Sequence, residues 1–316
     1  MAERPTGSMT VVLATRDRGA APAAAVRSIL EVGGPLSEIV VIDQSREDRT
    51  AAALAPFQDD PRLTYIRSRS AGLARARNEA IAACQGELVA MTDDDCEATP
   101  GWLAALADVF ALDDAIGLVF GTVVPADHDP RLGFVPAYTV PARRLDRGQD
   151  PRRRIDGLGA CMAVRRRTWT EIGGFDEMLG AGARFQAADE GDFALRALAA
   201  GWTVGESPQA VMVHHGFRPW AEAEELVRGY ARGTGAMMGK HLRRRTGGAR
   251  RLLSWMAWSW VRGRTHEAAR LDGKLHRWMR LGAFMGGFAE GLRLPVDPTT
   301  CRYETPSLAL DAGASP

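Results

Sequence analysis

Short runs of apolar residues alternate with segments of helical periodicity in the first part of the chain. A near-continuous run of β-branched residues is typical of a strand buried on both faces of a sheet, and apolar positions three to four residues apart are typical of a helix. From these patterns we predict four strands, at residues 9–15, 38–43, 63–68 and 87–92, and a helix at residues 73–84.

Strands that alternate with helices predict a mostly parallel sheet flanked by helices. In such sheets ligands bind beyond the carboxyl ends of the strands. Polar residues follow three of the predicted strands, namely Thr15, Asp43, and the run of Asp93, Asp94 and Asp95. We therefore expect these side chains to meet at one edge of the sheet and to form a single site.

The pattern is less regular in the second part of the chain. Residues 127–156 are rich in Pro, Arg and Asp, and they predict a long irregular connection, which could act as a mobile lid over the site. A strand is predicted at residues 159–166, an amphipathic helix at residues 188–201 and a last strand at residues 210–216.

The C-terminal part is mostly helical in pattern. Helices are predicted from Pro219 to about residue 292, and the tail after Pro295 is predicted to be loosely ordered. Two interpretations of these helices stay open. They could pack on the sheet or on a second subunit of a homodimer, which we favour, or they could lie at a bilayer surface.

The composition limits the class of protein. The chain has 316 residues, 46% of them hydrophobic, which is ample for a large core. Its formal net charge of +1 gives no reason to expect nucleic acid as a partner. Four cysteines without a CxxC pair fit a reducing compartment. We see neither a signal peptide nor an apolar run of about 20 residues, so we expect a cytoplasmic protein, or one peripheral to the inner face of the membrane.

Three successive aspartates, Asp93, Asp94 and Asp95, repel one another. They could cap the helix that begins near ATPGW. Two of them could share a proton, which requires burial and a raised pKa. They could also bind Mg²⁺ or Mn²⁺, with substrate phosphates completing the coordination shell. This third interpretation explains why the acids lie where a parallel sheet binds its ligand.

Neighbouring segments bear on the choice of ligand. The sequence TRDRGAAPAAAV after the first strand lacks the G-x-G-x-x-G pattern of dinucleotide-binding proteins. Arg75, Arg77 and Asn78 lie at the start of a predicted helix, where arginine and the helix N-terminus together form a seat for a diphosphate. A solvated helix face is the alternative, more plausible for Arg75 than for Arg77.

Six motifs occur in an order that resembles a known family. VVLATRDR, EIVVIDQS, GLARARN, MTDDDCEATPGWL, GGFDE and ADEGDFALR are together similar to the inverting family-2 glycosyltransferases, over residues 10–217. The resemblance implies an α/β protein of GT-A type, with a Rossmann-like, mostly parallel sheet flanked by helices. It divides the chain into a nucleotide-sugar-binding half (1–125), an acceptor-binding and catalytic half (126–218) and a C-terminal helical extension (219–316).

The resemblance also implies a set of site residues. A nucleotide-diphosphate sugar would be bound by Thr15, Arg18, Asp43, Gly72, Arg77, Asn78, Asp93, Asp94 and Gly159. Asp95 would ligate Mn²⁺ or Mg²⁺, and His214 would complete the metal shell. In an alternating strand His214 and His215 point to opposite faces, so at most one of them faces the metal.

The general base is expected at the start of the helix at residues 188–201. The family has Glu-Asp here, and the second acid acts as base. This chain has Asp189 and Glu190, in the reverse order. We predict Glu190 as the base and Asp189 as its orienter or as an acceptor ligand, whereas Asp192 is interpreted as an acid that complements the helix dipole.

The predicted function is metal-dependent transfer of a sugar to an acceptor hydroxyl, with inversion. The acceptor class stays open among glycans, lipid-linked molecules, peptides and natural products. A nucleotidyltransferase is one alternative, although it should have a Gly-rich basic loop near its start. A non-catalytic nucleotide-sugar-binding protein is the other, although it would need no positioned base.

Overall fold

The computed structural model describes residues 8–148, 157–261 and 274–304. Eleven strands lie within these ranges: β1 (Met9–Thr15), β2 (Leu36–Asp43), β3 (Leu63–Arg67), β4 (Leu88–Asp93), β5 (Cys96–Ala98), β6 (Ile116–Pro125), β7 (Gly133–Phe134), β8 (Arg144–Asp146), β9 (Met162–Arg165), β10 (Thr203–His214) and β11 (Arg218–Pro219).

The same ranges contain nine α-helices: α1 (Ala21–Val32), α2 (Arg49–Leu54), α3 (Leu73–Ala83), α4 (Trp102–Phe110), α5 (Arg166–Glu171), α6 (Asp189–Ala199), α7 (Trp220–Arg243), α8 (Ala249–Val261) and α9 (Lys274–Arg293). The predicted helices at residues 73–84 and 188–201 correspond to α3 and α6.

One large sheet has the strand order β3-β2-β1-β4-β9-β6-β10-β5, and β8 also pairs with β10. The first four of these strands are parallel to one another, as are β6 and β10. The prediction of a mostly parallel sheet is confirmed. Unlike its neighbours β4 and β6, however, β9 runs in the opposite direction. Met162, the first residue of β9, therefore lies beside Met91 near the end of β4, and this brings the residues before β9 to the carboxyl edge.

Helices cover both faces of the sheet because alternate residues of a strand point to opposite faces. In β1, Val11 and Leu13 belong to the core cluster that includes residues of α1 and α4. Val12 belongs to the cluster on the other face, with residues of α3 and α6. The buried strands hold the carboxyl edge rigid, and the polar residues project from that edge.

Two strands differ in extent from their prediction. β9 begins at Met162, because Gly159–Cys161 form a turn of 3-10 helix. β10 begins at Thr203, well before the predicted start at residue 210. Pro208 interrupts the apolar pattern there, and the pairing register with β6 shifts around it, so the sequence pattern shows only the second part of the strand.

The connection after β6 is partly regular. Its described part contains β7, which pairs with β11, and β8, which pairs with β10. The backbone of Tyr138 bonds with that of Val123, and the N–H of Ala126 donates to the carbonyl of His214 at 2.9 Å. This part is therefore bonded to the sheet, and the prediction of an irregular connection is wrong for it. Residues 149–156, which share the lid hypothesis, lie outside the described residues.

The prediction of a loosely ordered tail is wrong for residues 296–304. Val296 and Tyr303 form a β-bridge, and Tyr303 is buried. The backbone N–H of Tyr303 donates to Oδ2 of Asp176 at 2.8 Å, so a long-range contact orders a segment that has no strong local pattern. Residues 305–316 lie outside the described residues.

The helices α7 and α9 pack closely along their length through glycines. Gly235 and Gly239 of α7 face the backbone of α9, and Gly287 and Gly291 of α9 face the backbone of α7. The two helices thus form a packed helical unit, and a contact with a second subunit stays a prediction. None of the described helices is long and apolar enough to cross a membrane. Contact with a bilayer surface stays a prediction, which liposome flotation would test.

Replacing Gly287 by alanine should destabilise the protein, because the added methyl group would overlap the carbonyl oxygen of Arg232. We expect the free energy of unfolding to fall by about 1–3 kcal/mol, as is usual for overpacking. The neighbouring Gly286 is the control, since no atom lies within 4 Å of the position of its Cβ. There alanine should stabilise the helix by up to about 1 kcal/mol. Urea unfolding of both variants would measure the difference, and equal effects would contradict the close packing.

Candidate active site

Polar residues from separate strands meet at the carboxyl edge of the sheet. Thr15 ends β1 and lies beside Asp43, which ends β2. Asp93 ends β4 and lies beside β1, while His214 ends β10 opposite Cys96. The start of α6 lies at the same edge, and together these residues form the candidate active site.

Four side chains at this edge form a group that could hold a metal ion, which we call the cation group. One ligand atom from each of Asp93, Asp95, Cys96 and His214 lies within 4.8 Å of the others. Burial and the charges of Asp93 and Asp95 raise the pKa of the Cys96 thiol far above its usual value. A protonated thiol is a poor ligand for a hard cation, so the carboxylates and the imidazole are the better donor set.

The orientation of His214 fits a metal ligand. Its Nδ1 lies 2.9 Å from the carbonyl oxygen of Pro136, which can only accept a hydrogen bond, so Nδ1 carries a proton. Its Nε2 then lies 3.2 Å from Oδ1 of Asp95. In a neutral imidazole this would place a lone pair against a carboxylate, and either a proton or a cation between them resolves the repulsion. Burial lowers the pKa of His214, but the bonds to Asp95 and Pro136 outweigh it and raise this pKa.

An oxygen, oxygen and nitrogen donor set from Asp93, Asp95 and His214 suits Mn²⁺ or Mg²⁺. Waters or phosphate oxygens would have to complete the coordination shell. The residues present therefore fit the cation that the sequence predicts.

The middle aspartate binds the loop after β1. Thr15 donates its hydroxyl to Asp94 Oδ2 at 2.6 Å, and Arg18 Nε donates to Asp94 Oδ1 at 3.1 Å. Another nitrogen of Arg18 contacts Asp95. Burial raises the pKa of Asp94 to about 6, although the bond from Thr15 and the charge of Arg18 lower it. Asp94 thus holds Arg18 beside the cation group.

Asp43 is fully buried at the end of β2. It accepts hydrogen bonds from the backbone N–H of Ser45 at 2.8 Å and from the hydroxyl of Tyr65 at 2.7 Å. Gly72 precedes α3 with a φ of 106°, a backbone conformation that residues other than glycine rarely adopt. Its carbonyl accepts from Gln44 at 3.2 Å.

Arg77 joins the cation group to the start of α6. Its guanidinium is almost completely buried and lies 3.5 Å from Asp93 through Nη2. Through Nη1 it donates to Asp189 Oδ2 at 2.8 Å and to Glu190 Oε1 at 3.2 Å. Because a buried guanidinium without carboxylates would be very costly, the three acids and Arg77 depend on one another.

The two acids at the start of α6 have different surroundings. Asp189 is 2% exposed, whereas the side chain of Glu190 is 22% exposed. Burial and then the charge of Glu190 raise the pKa of Asp189. Burial also raises the pKa of Glu190, but the charge of Arg77 and further hydrogen bonds outweigh it and lower the pKa below its usual value. Of the two acids, Glu190 is therefore the more exposed one and the one whose pKa is lowered.

Gly159 contacts the same acid. Its backbone N–H donates to Glu190 Oε1 at 3.2 Å, and a methyl group in place of its hydrogen would overlap the guanidinium of Arg77. A glycine is needed here because the backbone runs directly over these two side chains. The reversed direction of β9 is what delivers Gly159 to the edge.

Not every predicted residue points into this cluster. The amide of Asn78 bonds with Trp169, Phe175 and Glu177, so it holds the loop after α5. Asp192 is completely buried and contacts Arg196 and residues of α7, so its role extends beyond the helix dipole.

Sequence reasoning missed three residues at the site. Cys96 follows the aspartates directly, and alternation from Asp95 would have indicated that it is buried. A methyl group on Gly216 would lie 2.5 Å from Nε2 of His214 and 2.8 Å from Oδ2 of Asp95, and its place in HHG was the available signal. Burial raises the pKa of Asp95, but His214 and Arg18 outweigh it and lower this pKa. The charge of Arg218 lowers it further. No local pattern indicated Arg218.

Comparison with known proteins assigns the chain to a family. The family model described as Glycosyl transferase family 2 matches residues 10–172. The chain belongs to this family. One curated relative of the family 2 chain is the glucosyl-dolichyl phosphate glucuronosyltransferase of Haloferax volcanii, which is 26% identical over 151 residues. The match covers 46% of this chain and 48% of the relative, so the chain spans about half the length of that relative.

Two solved structures have a similar fold. The mannosyltransferase PcManGT from Pyrobaculum calidifontis, in complex with GDP-Man and Mn²⁺, has a TM-score of 0.59 and 19% identity over 90% of this chain and 87% of that chain. TarS 1–349 from S. aureus, in complex with UDP, has a TM-score of 0.60 and 14% identity over 90% of this chain and 81% of that chain. The predicted GT-A fold of the family 2 chain is thereby confirmed.

Proposed function

We propose that this family 2 chain transfers a sugar from a nucleotide-diphosphate sugar to an acceptor hydroxyl, with inversion and with Mn²⁺ or Mg²⁺ bound. The position of Arg77 is the main support. It lies 3.5 Å from Asp93 in the cation group and 3.2 Å from Glu190. A donor held at the cation group and a base at Glu190 would therefore share one cleft.

In this proposal residues 1–125 bind the donor, residues 126–218 bind the acceptor and contain the base, and residues 219–316 form a helical extension. The base and ribose of the nucleotide would lie against Thr15, Arg18 and Asp43, with Gly72 allowing close approach of the chain. Gly159 would form the floor under the sugar. We leave Asn78 out of the donor set, because its amide is occupied by the loop after α5.

The cation would be held by Asp93, Asp95 and His214, while Asp94 keeps Arg18 in place. Bound there, Mn²⁺ or Mg²⁺ would offset the negative charge that develops on the departing diphosphate. Arg18 would add a second positive charge close to the same phosphates. Fixed charges of this kind often supply the largest part of the rate enhancement.

Glu190 would accept the proton of the acceptor hydroxyl as that oxygen attacks the anomeric carbon. Two observations support this role: the pKa of Glu190 is lowered, which favours the ionised form that a base needs, and its side chain is 22% exposed. A positioned base contributes about 10²–10⁴-fold to the rate. Asp189 would keep Arg77 in place, and Arg77 in turn holds Glu190.

Gly216→Ala tests the metal assignment without removing a ligand. The added methyl group would lie within 2.8 Å of both His214 and Asp95, so the two ligands would have to separate. We expect the Kd for Mn²⁺ to rise about 10–100-fold, as for other displaced ligand shells. Calorimetry would measure it, with Gly247→Ala as the control because no atom lies within 4 Å of that Cβ position. An unchanged Kd would place the cation elsewhere.

A panel of nucleotide sugars tests the function itself. Thermal-shift measurements with Mn²⁺ and Mg²⁺ would identify the donor, beginning with GDP- and UDP-sugars because the similar structures contain GDP-Man and UDP. The selected donor would then be incubated with glycan, lipid-linked, peptide and natural-product acceptors. We expect acceptor-dependent release of a nucleoside diphosphate. Release of pyrophosphate from a nucleoside triphosphate and a sugar phosphate would instead indicate a nucleotidyltransferase, and donor binding without any transfer would indicate a binding protein.

A further inference from the structure

A second cluster of charges lies behind the acid pair, where α7 meets α6. Lys240 of α7 is completely buried, and its Nζ lies 2.5 Å from Asp176 Oδ2 and 2.5 Å from Asp192 Oδ1. Both carboxylates are also completely buried. Lys240 is outside the residues that the family model matches, and no sequence motif pointed to it.

The two carboxylates belong to different segments. Asp192 lies in the first turn of α6, two residues after Glu190, and also pairs with Arg196 at 2.8 Å and His241 at 2.8 Å. Asp176 lies in the loop between α5 and α6 and accepts from the backbone N–H of Tyr303 at 2.8 Å. One ammonium group therefore ties this loop, α6 and the C-terminal segment to α7.

Each carboxylate is next in the chain to one of two stacked aromatic residues, and one of the two rings contacts Arg77. Phe175 precedes Asp176, Phe193 follows Asp192, and the two rings stack at 4.5 Å between centroids. The guanidinium of Arg77 lies 5.8 Å from the centroid of Phe175. If the loop and α6 moved apart, this stack would open and the support under Arg77 would shift.

We propose that Lys240 is a positioning residue for the acid pair: by bridging Asp176 and Asp192 it holds the Phe175–Phe193 stack, and with it Arg77, in the place that aims Glu190. The proposal rests on the proposed function, because it assigns Glu190 as base. In this proposal a residue of the helical extension contributes to the geometry of the acceptor half. A displacement of about 1 Å at a reacting group can lower a rate about 10²-fold, so a support outside the cleft can control turnover.

The test uses the full chain with the double substitution Lys240→Met and Asp176→Asn. It removes one positive and one negative charge together, and Asp192 keeps Arg196 and His241 as partners. Arg165→Met with Glu87→Gln is the control for the loss of an ion pair, since this pair joins at 2.6 Å beside the start of β4, at the other end of the strand from Asp93. Thermal unfolding would establish that both variants are folded.

We expect the double variant to lower kcat at least tenfold while the Kd for Mn²⁺ changes less than threefold, because none of the proposed ligands Asp93, Asp95 and His214 is substituted and Arg77 contacts only Asp93 among them, at 3.5 Å. The control should keep its kcat within about twofold. A role of Lys240 in stability alone predicts equal kcat in the two folded variants, and that result would overturn the proposal.

A crystal structure of the double variant separates failure of this inference from failure of the proposed function. We expect the contact of 3.2 Å between Arg77 and Glu190 to be broken or the ring stack of 4.5 Å to be opened. If both are unchanged, Lys240 does not position the acids, whatever the activity. If the geometry changes and kcat does not, the proposal is equally wrong. If even the unsubstituted chain transfers no sugar, the proposed function fails, and the crystal structure alone decides the inference.

Discussion

Replacing Glu190 by glutamine is expected to lower kcat by about 10²–10⁴-fold, the usual contribution of a general base. The amide has nearly the same size as the carboxylate and can still accept hydrogen bonds from Gly159 and Arg77, but it cannot take the proton of the acceptor. In the proposed function the donor and the cation bind on the other side of Arg77, so their Kd should change less than threefold. Initial rates at saturating donor and acceptor, together with calorimetry of donor binding, would measure both quantities.

The matched control for this variant is Glu177→Gln. Glu177 also pairs with an arginine of α3, Arg75 at 2.8 Å, but it lies outside the acid pair. We expect its kcat to stay within about twofold of the unsubstituted protein. If Glu190→Gln retained turnover and Asp189→Asn lost it, the base would be Asp189, the first acid of the pair, whereas the family resemblance implies the second.

The second large effect is expected for Asp95→Asn. Removing one charge of a close pair costs about 2–5 kcal/mol. Metal-dependent affinity for the donor should therefore fall about 30-fold or more. Without metal, the donor affinity should be unchanged or slightly higher, because one carboxylate no longer repels the diphosphate and Arg18 loses a competing partner. Calorimetric titration of the donor with Mn²⁺ and with EDTA would measure both affinities.

Glu97→Gln is the control for this substitution. Glu97 lies two residues after Asp95 but is exposed and contacts His215 instead of the cation group. It should leave the metal dependence intact. An Asp95→Asn variant that still showed the full difference between Mn²⁺ and EDTA would exclude Asp95 as a ligand.

The carboxyl edge was predictable because its signals are local. Apolar runs identify β1, β2 and β4, and a polar residue directly after such a run must lie where the strand ends. The placement of Thr15, Asp43 and Asp93 at one edge follows from parallel pairing. The start of α6 was local as well, since Asp189 and Glu190 are the first residues of an amphipathic helix of clear period.

What the sequence by itself determined is thus the type of each main element, the mostly parallel sheet and the edge that gathers the acids. Only the tertiary structure decided which acids share Arg77, that β9 runs backwards to deliver Gly159, and that Lys240 closes a buried cluster behind α6. Arg77 and Asp189 are 112 positions apart, and no spacing rule links them. The physical reason is that periodicity reflects which face of one segment is buried, whereas a charge pair depends on which segments fold together and on the water that this excludes.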